Sequence, residues 1–498
     1  MAKRILVEPS RTLMEFRLLP GLTTPETASE RISLRTPLVH QPEGRPPLCL
    51  NIPLVSAAMQ SVSGPEMAIE LATLGGAAFI FSSQPPQEQA EMVRKVKRYK
   101  AGFVTPTTVT ADTTVRRVIE IRERTGYSTF PVVDEAGRLL GIVRRNDFDD
   151  ALHADLPIGE RMIAYDKLEV GVEIGDLNEA HRLLVESHQA ILPIVDRDRR
   201  LKHLVFRKDI RNHLDNPLQV VDSQHRLLAV AAINTHDFKD RVPRLVEAEV
   251  DVVAVDSSDG HTTFQRETIE WLAANHPTLP VIGGNVITEA GFRYLVDAGA
   301  AAVKVGMGGG SICITQEQKG TGRGLATAVI RVAEERDRYF EETGKYIPVI
   351  ADGGIVTAKD VVISLALGAD CAMLGRYFAR MEEAPTEKVV INNRPMKPYW
   401  GEGSARARYW RDIRYHQAKF SEGVEGFVEY AGKLRDNLDE TLAKITASMS
   451  SCGVRNINEL HRNSEIELVS ALSIREGKVH DLYMPGQDGN YNTRTWGS

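Results

Sequence analysis

The feature that most constrains the fold is an alternation of short apolar stretches with stretches of helical periodicity. Eight apolar stretches have the length and composition of buried strands. Continuous apolar runs of this kind are typical of parallel sheets, because helices cover both faces of such a sheet. The eight predicted strands are Pro53–Met59, Ala77–Phe81, Ala229–Ala232, Asp251–Asp256, Pro280–Gly283, Ala301–Gly306, Pro348–Ala351 and Cys371–Gly375.

Eight strand–helix units predict an α/β fold, and a closed (β/α)₈ TIM barrel accommodates that number of units. An open doubly wound sheet is the alternative, because it is built from the same units. The helix predicted after the second strand covers residues 87–99. The next barrel strand is predicted only at Ala229, so the intervening residues form an insertion.

The insertion contains an internal repeat. Pro131 in the first copy corresponds to Pro193 in the second, 62 residues later, and Asp147 corresponds to Asp209 at the same interval. Each copy combines a helical stretch with two short strands joined by a turn, which leaves apolar faces that one copy cannot bury alone. We therefore expect the two copies to pack on each other. The repeat resembles a tandem CBS pair, also called a Bateman module.

These features divide the chain into three parts. Residues 1–99 hold an N-terminal segment and the first part of the barrel, residues 100–216 hold the CBS pair, and residues 217–498 hold the remainder of the barrel. Within the last part, residues from about 380 to 430 are rich in charge, glycine and aromatic side chains and do not continue the barrel pattern. A long segment of this kind is typical of a mobile lid.

Charge and composition exclude several classes of protein. Lys and Arg total 61 and Asp and Glu total 67, giving a net charge of −6, which argues against a nucleic-acid or anionic-membrane partner. No apolar run reaches the length of about 18 residues that a membrane-spanning helix needs. The four cysteines are far apart and form no disulfide framework, and the N-terminus lacks a secretory signal. We therefore expect a cytoplasmic protein.

The strongest chemical signal is the glycine-rich loop KVGMGGGSICIT, which follows the predicted strand Ala301–Gly306 and contains Cys313. In a barrel this loop lies at the carboxyl-terminal mouth, where active sites are built. Consecutive glycines let carbonyls face a cation or amides face a phosphate. A thiolate in such a loop is a candidate nucleophile. The alternative is that Cys313 is a small buried apolar residue.

Polar residues also follow three other predicted strands. The Asp-Gly-Gly sequence at 352–354 and the pair Gly375-Arg376 follow the last two strands, where barrels of this class commonly bind phosphate. Asp352 could accept hydrogen bonds from sugar hydroxyls, and Arg376 could add a charge-assisted contact. Taken together they indicate a nucleotide or sugar phosphate, although Asp-Gly-Gly alone is often only a turn. The loop 256–260 is either a second ribose site or a helix N-cap.

At these residues the chain resembles the inosine-5′-monophosphate (IMP) dehydrogenase family, and the match covers the barrel, the insertion, the lid and the C-terminal tail. The string GGGSICITQEQ resembles the nucleophile loop of that family. The resemblance implies an enzyme that oxidises IMP to xanthosine monophosphate (XMP) with NAD⁺ and water. It also implies a monovalent cation, K⁺, and a homotetramer.

The resemblance further implies a role for individual residues. Cys313 attacks C2 of the purine, hydride leaves to NAD⁺, and a covalent thioimidate remains. The lid then enters the vacated site, and Arg414 acts as base on a water held by Thr315 and Tyr415. Because Arg normally stays protonated, the alternative role for Arg414 is to pair with a phosphate or a carboxylate.

The resemblance also implies three sets of ligand contacts. IMP contacts are implied for Met59, Ser311, Asp352, Gly353, Gly354, Gly375, Arg376, Tyr399, Trp400, Gly401, Glu402, Gly403 and Glu422. NAD contacts are implied for Asp256, Ser257, Ser258, Gly306, Met307 and Gly308. The implied K⁺ ligands are carbonyls of Gly308, Gly310 and Cys313 and, from a neighbouring subunit, residues Glu476, Gly477 and Lys478.

Three questions stay open at the level of sequence. GMP reductase shares the barrel, the cysteine loop and the purine site, but it does not need the Arg-Tyr lid. A catalytically silent nucleotide sensor built around the CBS pair is a second alternative. The CBS copies carry Arg144 and Phe206 where a Thr or Ser is usual, so an adenine or guanine nucleotide at that module and a purely structural module are both possible.

Overall fold

The protein is described by a computed structural model of residues 2, 5–41, 45–99, 103–104, 106–125, 127–150, 152–404, 406–407 and 421–479. Three short strands precede the barrel, and the second and third of them pair antiparallel. They are β1 (Phe16–Leu18), β2 (Thr36–Val39) and β3 (Leu48–Leu50). The barrel then begins with two strand–helix units. These are β4 (Leu54–Ser56), α1 (Pro65–Thr73), β5 (Ala77–Ile80) and α2 (Pro86–Lys97).

Two small sheets follow α2 along the chain. The first half contains β6 (Phe103–Val104), α3 (Val115–Thr125), β7 (Thr129–Val133), β8 (Leu139–Arg144) and β9 (Ile163–Ala164). The second half contains β10 (Gly171–Val172), α4 (Leu177–Glu186), β11 (Ile191–Val195), β12 (Leu201–Phe206) and α5 (Arg207–Asp215). The hairpins β7–β8 and β11–β12 are antiparallel and repeat at the predicted interval. Their turns contact each other, because Leu139 N–H donates to Arg199 O at 2.9 Å and Leu201 N–H donates to Gly137 O at 3.0 Å.

Six further parallel strands complete the barrel, and the TIM-barrel prediction is confirmed. The first three units are β13 (Val230–Ile233), α6 (Phe238–Glu247), β14 (Val252–Val255), α7 (Thr263–Asn275), β15 (Val281–Val286) and α8 (Glu289–Asp297). The last three contain β16 (Ala302–Val305), α9 (Thr315–Lys319), α10 (Leu325–Thr343), β17 (Val349–Asp352), α11 (Ala358–Ala366), β18 (Cys371–Leu374) and α12 (Arg376–Ala379). Pairing of β18 with β4 and of β5 with β13 closes the ring, which excludes the open sheet.

The barrel strands are buried on both faces. Val252 and Ala254 of β14 point into the barrel, whereas Val253 and Val255 pack against the surrounding helices, and all four are buried. Burial of one such valine stabilises the fold by about 1.5–3 kcal/mol. This two-sided burial is the physical reason why the strands read as continuous apolar runs.

The chain leaves the barrel after α12 and returns to it. A three-stranded antiparallel sheet comes first, formed by β19 (Val389–Ile391), β20 (Arg394–Trp400) and β21 (Glu425–Glu429). The C-terminal part contains α13 (Leu434–Ser451), α14 (Ile457–Asn463), β22 (Ile466–Leu468) and α15 (Ala471–Glu476). Helix α13 packs against α11 and α1, so it occupies the eighth position in the outer ring that the short α12 leaves open.

Buried charges hold the junction where the insertion leaves the barrel. Lys97, at the end of α2, is 4% exposed, and its Nζ donates to Asp222 Oδ2 at 2.9 Å and to Asp251 Oδ2 at 2.5 Å. Burial raises the pKa of Asp251. Buried ions of this kind need their partners, because an unpaired charge in the interior costs several kcal/mol.

Among the helices that the structure describes, none is long and apolar enough to cross a bilayer.

Candidate functional site

A cavity at the carboxyl-terminal mouth of the barrel collects the loops that the sequence analysis singled out. It is lined by the loops that follow β14, β16, β17 and β18, by Asn285 within β15, by the loop after β4, by the end of β20 and by the residues just before β21. The structure brings most of the predicted site residues together here. Those lining the cavity are Met59, Asp256, Ser257, Ser258, Gly306, Met307, Gly308, Gly310, Ser311, Cys313, Thr315, Asp352, Gly353, Gly354, Gly375, Arg376, Tyr399, Gly401, Glu402, Gly403 and Glu422.

The half-buried thiol of Cys313 begins a chain of polar contacts. Its Sγ lies 3.2 Å from Thr315 Oγ1, and Thr315 Oγ1 donates to Glu422 Oε2 at 3.0 Å. The Cys313 N–H donates to Gly310 O at 3.1 Å, which closes the turn that carries the thiol. A sulfur held in this way is placed to act as a nucleophile, because it faces the cavity and has a fixed polar partner.

Backbone pairing fixes the cysteine loop from its outer side. Ile314 N–H donates to Glu422 O at 3.0 Å, and Val424 N–H donates to Ile312 O at 3.0 Å. Cys313 and Gly423 thereby form an antiparallel bridge. The residues that lead from the lid segment to β21 are therefore attached directly to the loop that carries the thiol.

The other three cysteines are poor nucleophiles by comparison. Cys371 lies fully buried inside the barrel, and burial raises its pKa well above the ordinary value. Burial also raises the pKa of Cys49 and of Cys452. A raised pKa reduces the thiolate fraction at neutral pH, so these thiols are the less reactive ones. None of the three lines the cavity, whereas Cys313 does.

Asp352 lies at the end of β17, at the floor of the cavity. Asn285 Nδ2 donates to Asp352 Oδ2 at 2.7 Å and to Gly306 O at 2.9 Å, and it joins two neighbouring strands. Burial raises the pKa of Asp352, while the nearby Lys304 acts in the opposite direction. Asn285 was missed by the sequence analysis, which ended the predicted strand at Gly283. The signal that could have found it is a polar residue directly after a glycine pair at the end of a strand.

Tyr399 and glycines form a narrow part of the cavity. A Cβ at Gly375 would lie 2.9 Å from Tyr399 Oη, so only glycine allows the hydroxyl to approach the backbone so closely. Burial raises the pKa of Tyr399 to about 12, and the hydroxyl hydrogen-bonds Ser311. The phenol is therefore protonated at neutral pH and able to donate. Gly353 and Gly354 have φ of +97° and +72°, which favours glycine at both positions.

Glu402 is held by the loops after β4 and β5. Its carboxylate accepts from Gln60 N–H at 2.7 Å and from the Ser83 hydroxyl. Trp400 Nε1 donates to Gln60 Oε1 at 3.1 Å, and Trp400 itself is not among the residues lining the cavity. The side chains of Glu402 and Trp400 thus attach the residues after β20 to the loops that follow β4 and β5. Gln60 and Ser83 were not predicted, because their roles depend on β20 returning to the barrel mouth.

The far end of the cavity holds Asp256, at the end of β14. Lys304 Nζ lies 3.6 Å from Asp256 Oδ1, and Lys304 is 1% exposed. The helix after this loop has Thr262 as its N-cap, whose side chain accepts from Gln265 N–H. The alternative that Asp256, Ser257 or Ser258 caps the helix is therefore wrong. All three residues line the cavity.

Some predicted residues lie elsewhere. Arg414 and Tyr415 lie outside the described residues. Glu476 ends α15, and Gly477 and Lys478 follow it; this segment packs beside residues 13–15 and does not line the cavity. Nine lining residues were not predicted, most of them small or apolar. They are Ala57, Ala58, Asn285, Gly309, Ile312, Ile355, Val356, Met373 and Gly423.

The fold and the site define a (β/α)₈-barrel enzyme in which a cysteine faces glycine-rich loops at the barrel mouth. Residues 10–480 match the family model described as the IMP dehydrogenase / GMP reductase domain. The chain belongs to this family, which confirms the family predicted from the sequence.

Curated relatives match along most of the chain. An inosine-5′-monophosphate dehydrogenase of Tritrichomonas foetus is 47% identical over 499 residues, which is 98% of this chain and 99% of that protein. Those of Aquifex aeolicus and Escherichia coli K12 are 39% and 37% identical over 89% of this chain and 91% of each relative. A solved cysteine-to-alanine variant of GMP reductase from Trypanosoma brucei, in complex with guanosine 5′-monophosphate, has a TM-score of 0.77 and 28% identity. The match covers 96% of this chain and 99% of that one.

Proposed function

We propose that the protein is an IMP dehydrogenase that uses Cys313 as its nucleophile. The observation that carries this proposal is the Cys313 thiol, 3.2 Å from Thr315 Oγ1 in the same cavity as Asp352 and the glycine loops. The names of the relatives, at up to 47% identity over nearly the whole chain, support the dehydrogenase activity.

The nucleotide would lie with its phosphate among glycine amides and hydroxyls. Tyr399 and Ser311 supply hydroxyl donors, Arg376 supplies a cation, and Gly354 and Gly375 leave room for the phosphate oxygens. Asp352 accepts from the ribose hydroxyls, and Asn285 holds its second oxygen at 2.7 Å. The purine then extends toward Met59 and Cys313, and the backbone of residues 401–403 and Glu422 borders its edge.

The reaction proceeds in two halves. The Cys313 thiol loses its proton to solvent as its sulfur bonds to C2 of the purine, and C2 then loses its hydrogen with both electrons as a hydride, for which NAD⁺ would be the acceptor when bound. The thioimidate is then hydrolysed: the water oxygen bonds to C2, the C2–S bond breaks, one proton returns to the sulfur, and the other leaves with the base that activates the water. Thr315 holds the water on the Cys313 side. Arg414 and Tyr415 in the lid act in this second half.

The second substrate occupies the end of the cavity near Asp256. Ser257, Ser258 and the backbone of residues 306–308 border this space, and the Asp256 carboxylate is a suitable acceptor for ribose hydroxyls. The buried Lys304 beneath it offsets the negative charge of the carboxylate and keeps it in place, at 3.6 Å.

The residues of the cysteine loop fit a monovalent cation. Carbonyl oxygens of Gly308, Gly310 and Cys313 come from one turn, and neutral carbonyls suit K⁺. Gly310 O accepts one hydrogen bond from Cys313 N–H and retains a second lone pair. A bound K⁺ would stiffen the turn that carries the thiol. We propose that residues 476–478 of a neighbouring copy complete this site and that the assembly is a homotetramer.

The insertion is proposed to be a CBS pair that binds an adenine or guanine nucleotide or serves as a structural module. The domain boundaries at residues 100 and 216 and the cytoplasmic location are also proposals. Equilibrium dialysis of the whole protein with ATP and with GTP would decide the nucleotide question. Asp209 is the carboxylate of the second copy that we propose binds the ribose of such a nucleotide, so Asp209→Ala should lose any binding that uses this copy.

Incubation with IMP and NAD⁺, and separately with GMP and NADPH, tests the activity by the absorbance of the reduced nicotinamide. An increase only in the first mixture supports the dehydrogenase. A decrease only in the second mixture would establish GMP reductase, which the fold match to that enzyme keeps as the second candidate. The absence of both changes would favour the silent sensor.

The role of the lid is tested by Arg414→Ala, with Arg411→Ala in the same segment as the matched control. Single-turnover measurements should show slow hydrolysis in Arg414→Ala and a hydride step close to that of the wild type. Equal slowing of both steps, or the same effect in the control, would contradict the assignment of Arg414.

A further inference from the structure

A lysine lies at the outer end of the polar chain that starts at Cys313. Lys319 is the last residue of α9, and its Nζ lies 3.0 Å from Glu422 Oε1 and 3.2 Å from Oε2. The Glu422 side chain is 11% exposed and that of Lys319 is 37% exposed. The ammonium group therefore approaches the carboxylate from the solvent side, while Thr315 contacts it from the cavity side.

We propose that Lys319 is a positioning residue for the hydrolysis of the covalent intermediate. This inference rests on the proposed function. Lys319 acts through Glu422, whose carboxylate it holds against the Thr315 hydroxyl beside the Cys313 sulfur. Lys319 itself does not line the cavity and touches no reacting atom.

The donors and acceptors of the chain fix the direction of the Thr315 hydroxyl. A carboxylate accepts hydrogen bonds and does not donate them, so the Thr315 hydroxyl hydrogen must point toward Glu422. The lone pairs of Thr315 Oγ1 then face Cys313 and the water beside it. In this orientation Thr315 accepts a hydrogen bond from the water, which leaves a water lone pair free to attack C2.

The backbone alone does not fix the Glu422 side chain. Ile314 N–H donates to Glu422 O at 3.0 Å and Glu422 N–H donates to Gly403 O at 3.2 Å, so the main chain is held on both sides. The carboxylate, in contrast, stands on rotatable side-chain bonds. Removal of Lys319 therefore frees the carboxylate without releasing the main chain, and Thr315 loses its fixed acceptor.

The Lys319–Glu422 pair should affect the second half of the reaction more than the first. Attack of sulfur on C2 and departure of the hydride require no water, so the direction of the Thr315 hydroxyl matters less for those steps. Hydrolysis requires an oriented water, and misplacement of its partner by about 1 Å can cost on the order of 100-fold in rate.

The test compares Lys319→Met and Lys319→Arg with the wild type by rapid mixing. The absorbance of newly formed NADH measures the hydride step, and XMP formation from the trapped intermediate measures hydrolysis. Lys319→Met should slow hydrolysis by about tenfold or more and change the hydride step by less than about threefold. Lys319→Arg should restore most of the rate, because guanidinium also pairs with a carboxylate. Lys444→Met, which removes an exposed pair with Glu440, is the matched control.

A second variant separates positioning from a general effect on structure. Glu422→Gln removes the anion, and the double variant with Lys319→Met should hydrolyse no more slowly than Glu422→Gln alone. Additive losses would overturn the proposal, as would unchanged hydrolysis in Lys319→Met or equal slowing of both steps. Failure of the proposed function has a different signature: the wild type itself would form no NADH and no covalent adduct with IMP and NAD⁺.

Discussion

Replacement of Gly306 by alanine tests whether backbone contact between β16 and β17 sets the geometry of the site. Gly306 has φ of +141°, a conformation that L side chains rarely adopt. A Cβ there would lie 1.9 Å from Asp352 O and 3.1 Å from Leu325 Cδ1. Either β17 moves at Asp352 or the loop that begins at Gly306 moves, because a backbone carbonyl cannot rotate away as a flexible side chain can.

The expected magnitude follows from two contributions. Backbone strain at such a φ costs about 1–3 kcal/mol, and overpacking in a rigid interior costs about 1–3 kcal/mol more. We therefore expect Gly306→Ala to lose about 2–6 kcal/mol of unfolding free energy. The Asp352 carbonyl must also retreat by about 1 Å to reach 3.0 Å from the new Cβ. A displacement of that size at a binding carboxylate can cost on the order of 100-fold in kcat/KM.

The assay combines urea unfolding, followed by circular dichroism, with steady-state kinetics at varied IMP concentration. Gly137→Ala is the matched control, because Gly137 has φ of +79° and a Cβ added there would have no heavy atom within 4 Å. The control carries the strain without the collision, so it should lose about 1–2 kcal/mol and no activity. If Gly306→Ala loses no more unfolding free energy than Gly137→Ala does, and if its KM for IMP is unchanged, the close approach of the two strands is refuted.

Three further predictions address the nucleophile, the ribose contact and the junction. Cys313→Ala should abolish NADH formation and the covalent adduct while IMP still binds by calorimetry; turnover in this variant would contradict the assignment. Because burial raises the pKa of Asp352, its carboxylate takes up a proton at a higher pH than an ordinary Asp, so KM for IMP should rise as the pH falls toward that pKa. In Asp352→Asn this pH dependence should be absent, and its persistence would point to another group. Lys97→Met removes the cation from the carboxylate of Asp251, whereas Asp222 keeps its pair with Arg226, and it should cost about 3–5 kcal/mol in urea unfolding. The exposed Lys95→Met should cost less than about 1 kcal/mol, and equal losses would show that the buried pairing contributes little.

Much of the fold was predictable because burial on two faces leaves a local signature. All eight barrel strands were predicted within a few residues. The prediction ended β15 at Gly283, whereas the strand continues to Val286. Polar Asn285 interrupts the apolar run, so the local pattern gave no reason to extend the strand.

The site residues that lie directly after a barrel strand could be predicted from the sequence. Cys313, Asp352 and Gly375 all lie at or after the ends of barrel strands, and parallel strands end at the same mouth, so their proximity followed from topology. The contacts of Glu402 with Gln60 and Ser83 were not predictable, because about 320 to 340 residues separate the partners.

Hydrophobic periodicity and loop composition are local properties, so they were enough to predict the parallel barrel and the candidate nucleophile. The direction of each side chain depends instead on contacts that exist only in the folded chain. The Glu422 carboxylate meets Thr315 and Lys319 because the chain returns from the lid segment and pairs with the cysteine loop at Ile312 and Ile314. Hydrogen bonds act over about 3 Å, and only a folded chain brings residues about 100 positions apart to that distance.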